Sequence, residues 1–429
     1  MRIVQTFWSG GGNPLTSSFG WPHAEYNLMS WALSCCSLRE HYDEIALYTD
    51  PKGYEILIEK LHLPYTEVNI IYDDNLCLPQ HWAYAKIKTY SIQTKPFLHV
   101  DGDIYVPKPI PQSILNAALI AQNKEIVTTY YKRMMDRILT QGEFTFPEYI
   151  QKSIASETLE SFNMGFFGGS DIATIHDYCQ EAERFISTNQ LNNTTNKNSL
   201  VQCNVLFEQI IFAAYIKKHK KNVASVLGHP MLDKGYTAHE FCALKNYRNT
   251  SFFHILGGHK QTQTICDTLE TILAGEYPDI YKRIVVAFPN RHPLLCDLSY
   301  NSNIDRKERL LVQEQKKYRS YLFLHENEEK KDNWFVEKNP LVSTWNYSKN
   351  KMVCIIPSVS WKAYESVTIK PLGENILSLI NNKKIKYLQL KENLIKYFST
   401  ATDSIAFELI DEEIQYMLHY GIITASNNY

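Results

Sequence analysis

Pro96-Phe97-Leu98-His99-Val100-Asp101-Gly102-Asp103-Ile104-Tyr105-Val106 is the stretch on which the reading of the chain turns. The run Phe97 to Val100 is short, aromatic and β-branched, the composition of a buried strand. It climbs into two aspartates separated by one glycine, and a second apolar run follows. Carboxylates at the end of a buried strand carry a desolvation cost unless they are paired or hold a cation. Hard oxygen donors at this spacing suit Mn²⁺ or Mg²⁺, ions that commonly bridge to the phosphates of a substrate. Gly102 between them is expected to let the backbone turn tightly and approach a ligand. Asp-Gly is also ordinary in surface turns, so the apolar strand in front is what favours a metal.

Upstream, Ile3 to Trp8 reads as a first strand and Ser9 to Pro14 as a glycine-containing loop that leaves it. The loop has neither the G-x-G-x-x-G spacing nor a following Gly-Lys-Ser/Thr, so a Rossmann dinucleotide site or a P-loop is unsupported. A helix over 22–41, a strand over 44–50, a helix over 52–63, a strand over 66–71 and a helix over 82–93 then lead into Phe97. Strand–helix alternation of this kind builds a mostly parallel sheet with helices on both faces.

Downstream, Pro107, Pro109 and Pro111 break regular structure. A strand is expected over 125–130, an irregular aromatic insertion over 133–161, a strand over 162–169 and a helix over 172–188. The Asn- and Thr-rich stretch 189–198 reads as a mobile loop, followed by a helix over 200–218 and another over 263–273. Composition changes near Tyr300, where a charge-dense stretch reads as a solvated helix and linker. Helices over 367–426 that end in a short apolar strand suggest a small winged-helix-like module. The division expected is 1–290, a linker and accessory region at 291–365, and a C-terminal module at 366–429.

The formal charge of −2 over 429 residues offers no electrostatic footprint for nucleic acid or an anionic membrane. Aromatics make up 13% of the chain, with 28 tyrosines, enough to supply platforms for sugars or bases as well as a core. Nine cysteines without a C-x-x-C pair argue against a disulfide framework and for a reducing compartment. No apolar stretch reaches the length of a membrane span, and the opening residues read as a strand, not a signal segment. A cytoplasmic location is the expectation.

Taken together, the motifs resemble those of GT-A-type glycosyltransferases, and most closely glycosyltransferase family 8, the galactosyltransferase and glycogenin-like group. Asp101-Gly102-Asp103 is similar to that family's D-x-D, and His254-Ile255-Leu256-Gly257-Gly258-His259-Lys260 to its H-x-x-G-x-x-K. The family's motif continues with Pro-Trp where this chain has Gln261-Thr262. Asn163-Met164-Gly165 resembles its asparagine–glycine strand, and Glu208-Gln209 its Asp-Gln pair with glutamate replacing aspartate. The likeness spans roughly the first 285 residues.

The resemblance implies a GT-A-like sheet domain and transfer of a sugar from a nucleotide-sugar donor, foremost a UDP-sugar, with retention of configuration. It implies Mn²⁺ or Mg²⁺ held by Asp101, Asp103 and His254. Thr6, Phe7, Trp8, Lys86, Asp101, Asn163, Gly165, Gly257 and Lys260 are implied on the donor side, and Glu208 and Gln209 as catalytic. The acceptor stays open between a glycan and a peptide or protein. In chemical terms, a divalent ion would stabilise the charge that builds on a departing diphosphate, and Lys260 would add a point charge there. Read by itself, Lys86 suits a surface position better than the site. Two other functions fit the acidic pair: a nucleotidyltransferase, which the missing basic residue in the Ser9–Pro14 loop disfavours, and a binding protein without catalysis.

Overall fold

The computed structural model describes residues 1–126, 128–232, 250–261, 263–288, 320, 322–340, 342–348, 351–357, 364–381, 383–398 and 403–427. Of these, 1–17, 30–232 and 250–256 form one compact unit, and 18–29 with the residues from 257 onward form a second.

The first unit is built on strands β1 (Arg2–Phe7), β2 (Ile45–Thr49), β3 (Glu67–Ile70) and β4 (Phe97–Val100). Two short strands, β5 (Ile104–Tyr105) and β10 (Phe253–His254), pair with each other outside the main sheet. The main sheet is completed by β6 (Ile120–Ile126), β7 (Ser161–Gly169), β8 (Ala224–Ser225) and β9 (Met231–Leu232). Its order is β3–β2–β1–β4–β7–β6–β8, with β9 also beside β6. Only β7 runs antiparallel to its neighbours, so the unit is mixed α/β with a mostly parallel sheet, compatible with a Rossmann-like fold. The chain moves from β1 outward to β3 and then returns to place β4 on the other side of β1. That reversal opens a crevice at the carboxyl ends of β1 and β4, where open α/β sheets bind ligands.

Local chemistry explains where the elements begin. Asp50 ends β2 and caps α2 (Pro51–Tyr54): its Oδ1 accepts from Gly53 N at 2.8 Å and its Oδ2 from Ser9 N at 2.9 Å. Pro51, with no N–H to leave unpaired, suits the first helical position. Helix α3 (Ala83–Ser91) precedes β4, all of whose residues are buried.

Between β6 and β7 the structure differs from the sequence reading. Strand β6 starts earlier than expected, and Thr128–Gln141 is a helix instead of a strand's end and an irregular insertion. Of the helices α4 (Gln112–Leu115), α5 (Thr128–Gln141) and α6 (Glu148–Ile154), the last two occupy that region. Tyr131, Met135 and Ile138 are buried at helical spacing along α5. Helix α7 (Ile172–Thr188) has the expected bounds, with Asp171 as its cap.

The segment 189–198 is a hydrogen-bonded turn and not an open loop. Asn189 Nδ2 donates to Thr145 O at 3.0 Å, and Asn198 Nδ2 to Glu143 O at 2.7 Å. The helix expected over 200–218 is a π-helical turn, Leu206–Ile210, that runs into α8 (Ile211–His219). The glycines Gly168 and Gly169 let β7 lie against its neighbours, since a Cβ on either would strike the backbone beside it.

In the second unit, β11 (Phe335–Lys338) is the centre of an antiparallel sheet flanked by β15 (Ile385–Lys386) and β16 (Ile423–Ser426). A second sheet joins β12 (Ser343–Ser348), β13 (Lys351–Pro357) and β14 (Tyr364–Ile369). Helices Pro371–Leu379, Tyr387–Ile395 and Asp403–His419 bury Ile376, Leu390, Ile410 and Met417 beside Val336 and Ile423. The stretch read as charged linker and accessory region therefore contains strands, and β11 pairs with the end of the chain. Helices Gln263–Glu276 and Pro278–Ala287 also belong to this unit. Among the described residues no helix is long and apolar enough to cross a membrane.

Candidate metal and donor site

Asp101 leaves β4 at the carboxyl edge of the sheet, anchored by its N–H, which donates to Gly165 O at 2.9 Å. The turn that follows closes through Ile104 N to Asp101 O at 3.1 Å, and β5 carries the chain on to pair with β10. That pairing sets His254 opposite Ile104, and Ile255 N donates to Asp103 O at 3.0 Å. Asp101, Asp103 and His254 thus each offer a ligand atom, all within 4.8 Å of one another. His254 Nε2 is 3.4 Å from Asp103 Oδ1.

The imidazole is oriented from behind. His254 Nδ1 meets Gln122 Oε1 at 2.7 Å in the buried interior. Because the amide oxygen only accepts, Nδ1 is the donor of this bond and Nε2 faces the aspartates. Outer partners of this kind fix metal-binding histidines. Gly165 makes room for the pair: a Cβ there would lie 2.6 Å from both Gln122 Oε1 and His254 Cε1.

Gly102 has a different reason from the one expected. It does not take a positive φ, and a Cβ on it would run into the Trp31 indole of α1 (Ala24–Arg39). The glycine admits a tryptophan instead of a ligand. Trp31 in turn meets Phe7 edge-on, with ring centroids 5.2 Å apart. Ser30 Oγ donates to Gly102 O at 2.9 Å, which fixes the turn from the same helix.

Lys86 on α3 is buried, and its ammonium lies 2.8 Å from Asp101 Oδ1 and 2.5 Å from Glu208 Oε1. A third contact reaches Met164 O on β7 at 3.3 Å. Burial alone would favour the neutral amine, but the two carboxylates outweigh it and raise the Lys86 pKa. Burial pushes the Asp101 carboxyl up, as does Asp103, while Lys86 pulls it down. Glu208 is raised for the same reasons, burial first and Asp101 next, again against Lys86. Burial, with Lys86 nearby, holds His99 well below the usual imidazole range. His99 is therefore a neutral group whose Nε2 meets Thr6 Oγ1 at 3.0 Å.

Around this centre, Asn163 accepts from Gly165 N at 3.0 Å through Oδ1, and its Nδ2 donates to Glu125 Oε1 at 3.4 Å. Tyr131 hydroxyl bonds to Glu125 and also reaches Gln209 Oε1 at 3.3 Å. A buried polar chain thus leads from Gly165 to Gln209. Trp8 Nε1 donates to Asp73 O at 2.9 Å, and both Phe7 and Trp8 are buried. Gly257 and Lys260 lie in the second unit, where the Lys260 ammonium is 5.9 Å from the Trp21 ring centroid.

Asp101, Asp103, His254, Lys86 and Glu208 are thus brought together, with Asn163, Gly165 and Gln209 connected to them by hydrogen bonds. Sequence reasoning missed Gln122, Trp31, Glu125 and Tyr131. No motif marks Gln122 or Trp31.

No curated protein matches this chain. Residues 1–287, more than half of the chain, match the model of a family described as a family of unknown function, DUF6734. The chain belongs to that family.

Proposed function

We propose that the protein is a metal-dependent glycosyltransferase of GT-A type that moves a sugar from a nucleotide-sugar donor to an acceptor. The observation that carries this reading is the convergence of Asp101, Asp103 and His254 at the carboxyl edge of the sheet, with His254 already oriented by Gln122. Two carboxylates and an imidazole nitrogen form a mixed oxygen and nitrogen donor set that suits Mn²⁺, and Mg²⁺ less closely.

Asp101, Asp103 and His254 would hold the ion. Bound there, it would act as a Lewis acid on the donor diphosphate. Lys86 keeps Asp101 turned toward the ion and pairs with Glu208 in a buried position, beside the space a donor sugar would fill. Gln209 would offer an amide to sugar hydroxyls, while Asn163, bonded to Gly165 N and Glu125, would hold that wall in place. Exclusion of water by the buried strands around Asp101 strengthens each of these interactions.

The helix, strand, helix, helix, strand order over 371–426 supports a winged-helix-like reading of the C-terminal part. A screen of nucleotide sugars for Mn²⁺-dependent hydrolysis tests the function. The expected result is release of nucleoside diphosphate from at least one UDP-sugar, abolished by a chelator. Release of pyrophosphate from a nucleoside triphosphate instead would assign a nucleotidyltransferase.

A further inference from the structure

One large apolar side chain beside the carboxylates is left in water. Trp82 is 51% exposed, although His81 and Ala83 on either side of it are buried. The turn that carries it is pinned on both flanks. Gln80 Nε2 donates to Ser199 O at 2.7 Å, and the His81 ring meets Val201 O at 2.8 Å. Ala83 N donates to Asn204 Oδ1 at 3.0 Å, and Asn204 Nδ2 donates to Gln80 O at 2.7 Å.

Trp82 has helical backbone angles, φ −52° and ψ −30°, so it shares one helix face with Lys86, four residues on. Lys86 Nζ lies 6.0 Å from the Trp82 ring centroid and ion-pairs with Asp101 and Glu208. Asn204 and Glu208 repeat that spacing on the facing segment, so the two elements are joined at both rungs. The indole therefore stands about one helical turn from the carboxylates, on a rigid mount.

We infer that Trp82 is the platform on which a pyranose ring of the acceptor stacks, which makes the acceptor a carbohydrate; this rests on the transferase reading above. The C–H-rich face of a pyranose is weakly positive and meets the negative face of an indole. A mount fixed before binding spares the ordering cost of a flexible side chain. A nucleobase is the less fitting occupant. The crevice at the strand-order reversal lies between β1 and β4, whereas Lys86 reaches from Trp82 to Met164 on β7 and to Glu208. In the transfer, the bond from the anomeric carbon to the diphosphate oxygen breaks and one to the acceptor hydroxyl oxygen forms. The hydroxyl proton leaves with the nucleoside diphosphate.

Calorimetric titration of the full chain with maltotriose, cellotriose, lactose and N-acetyllactosamine tests the assignment. At least one probe is expected to bind the wild-type chain, with affinity cut about tenfold or more in Trp82→Ala and held within about threefold in Trp82→Tyr. The inference is overturned if no probe binds, or if Trp82→Ala binds a probe as the wild type does. It is also overturned if Trp82→Ala instead loses affinity for uridine diphosphate with Mn²⁺, which makes the ring a base platform. Donor hydrolysis by the wild-type chain is scored separately. Hydrolysis without probe binding removes the platform alone; Trp82-dependent probe binding without hydrolysis of any donor removes the transferase and keeps a carbohydrate site.

Discussion

The Lys86 ammonium stands 2.5 Å from Glu208 Oε1, and both side chains are buried. Lys86 shares its charge with Asp101, so three ionisable groups in the interior depend on one another. Taking one partner out of such a group strands the others in a poorly solvating medium.

Lys86→Met is accordingly expected to destabilise the fold by about 3–5 kcal/mol. Glu208→Gln in the same chain should recover part of that loss, because one stranded carboxylate is gone. Urea midpoints of the single and double variants measure the coupling. Losses that simply add would mean the pair is independent.

Gln122→Met keeps the buried volume but removes the acceptor of the His254 Nδ1 proton. Mn²⁺ affinity should fall by about 10–100-fold with little change in folding. Calorimetry with the ion alone measures this, and an unaltered affinity would show that the His254 tautomer does not matter.

Gly102→Ala should cost about 1–3 kcal/mol, because its methyl meets the Trp31 indole. Pairing it with Trp31→Ala should cost less than the two single losses combined, since the second change opens the space the first one needs. Denaturant unfolding of the four chains closes the cycle. Strict additivity would mean the two residues do not touch.

Asp171 caps α7: its Oδ1 accepts from Thr174 N at 3.1 Å, and its Oδ2 lies 2.9 Å from Lys221 Nζ. The Thr174 hydrogen bonds, followed by Lys221, lower its pKa below the ordinary 3.8. A carboxylate with a depressed folded pKa stabilises above its unfolded pKa and loses that contribution as pH falls through the folded one. Asp171→Ala should cost about 1 kcal/mol at neutral pH, and the difference should shrink as pH drops below 3.8. Urea unfolding at both pH values reads the two gaps. An equal gap at both would place the effect in packing and not in the charge.

Much of the parallel half of the sheet was legible because its elements are regular. Phe97 to Val100 is buried as its composition implies, and α7 has the bounds its apolar spacing implies. The carboxylates were visible for the same reason, as charges where a buried strand stops. The surroundings were less legible. Lys86 sits on a helix whose sequence suits solvent, and only the arrival of Glu208 from a distant turn makes it a buried ion pair. Trp31 and Gln122 act through contacts with Gly102 and His254 that no local pattern encodes. The segment 133–161 was misread because few apolar residues, Tyr131, Met135 and Ile138, carry the buried face of α5, and a turn held by asparagine side chains looks like a loop in composition.

The central claim is that Asp101, Asp103 and His254 hold a divalent ion that in turn holds a donor diphosphate. Calorimetric titration of uridine diphosphate into the wild-type chain and Asp103→Ala, each with and without Mn²⁺, tests it most directly. The wild-type chain should bind only when Mn²⁺ is present, and Asp103→Ala should lose at least about tenfold in affinity while unfolding as the wild type does. Binding by the wild-type chain without Mn²⁺, or equal affinity in the folded variant, would contradict the metal site and the function built on it.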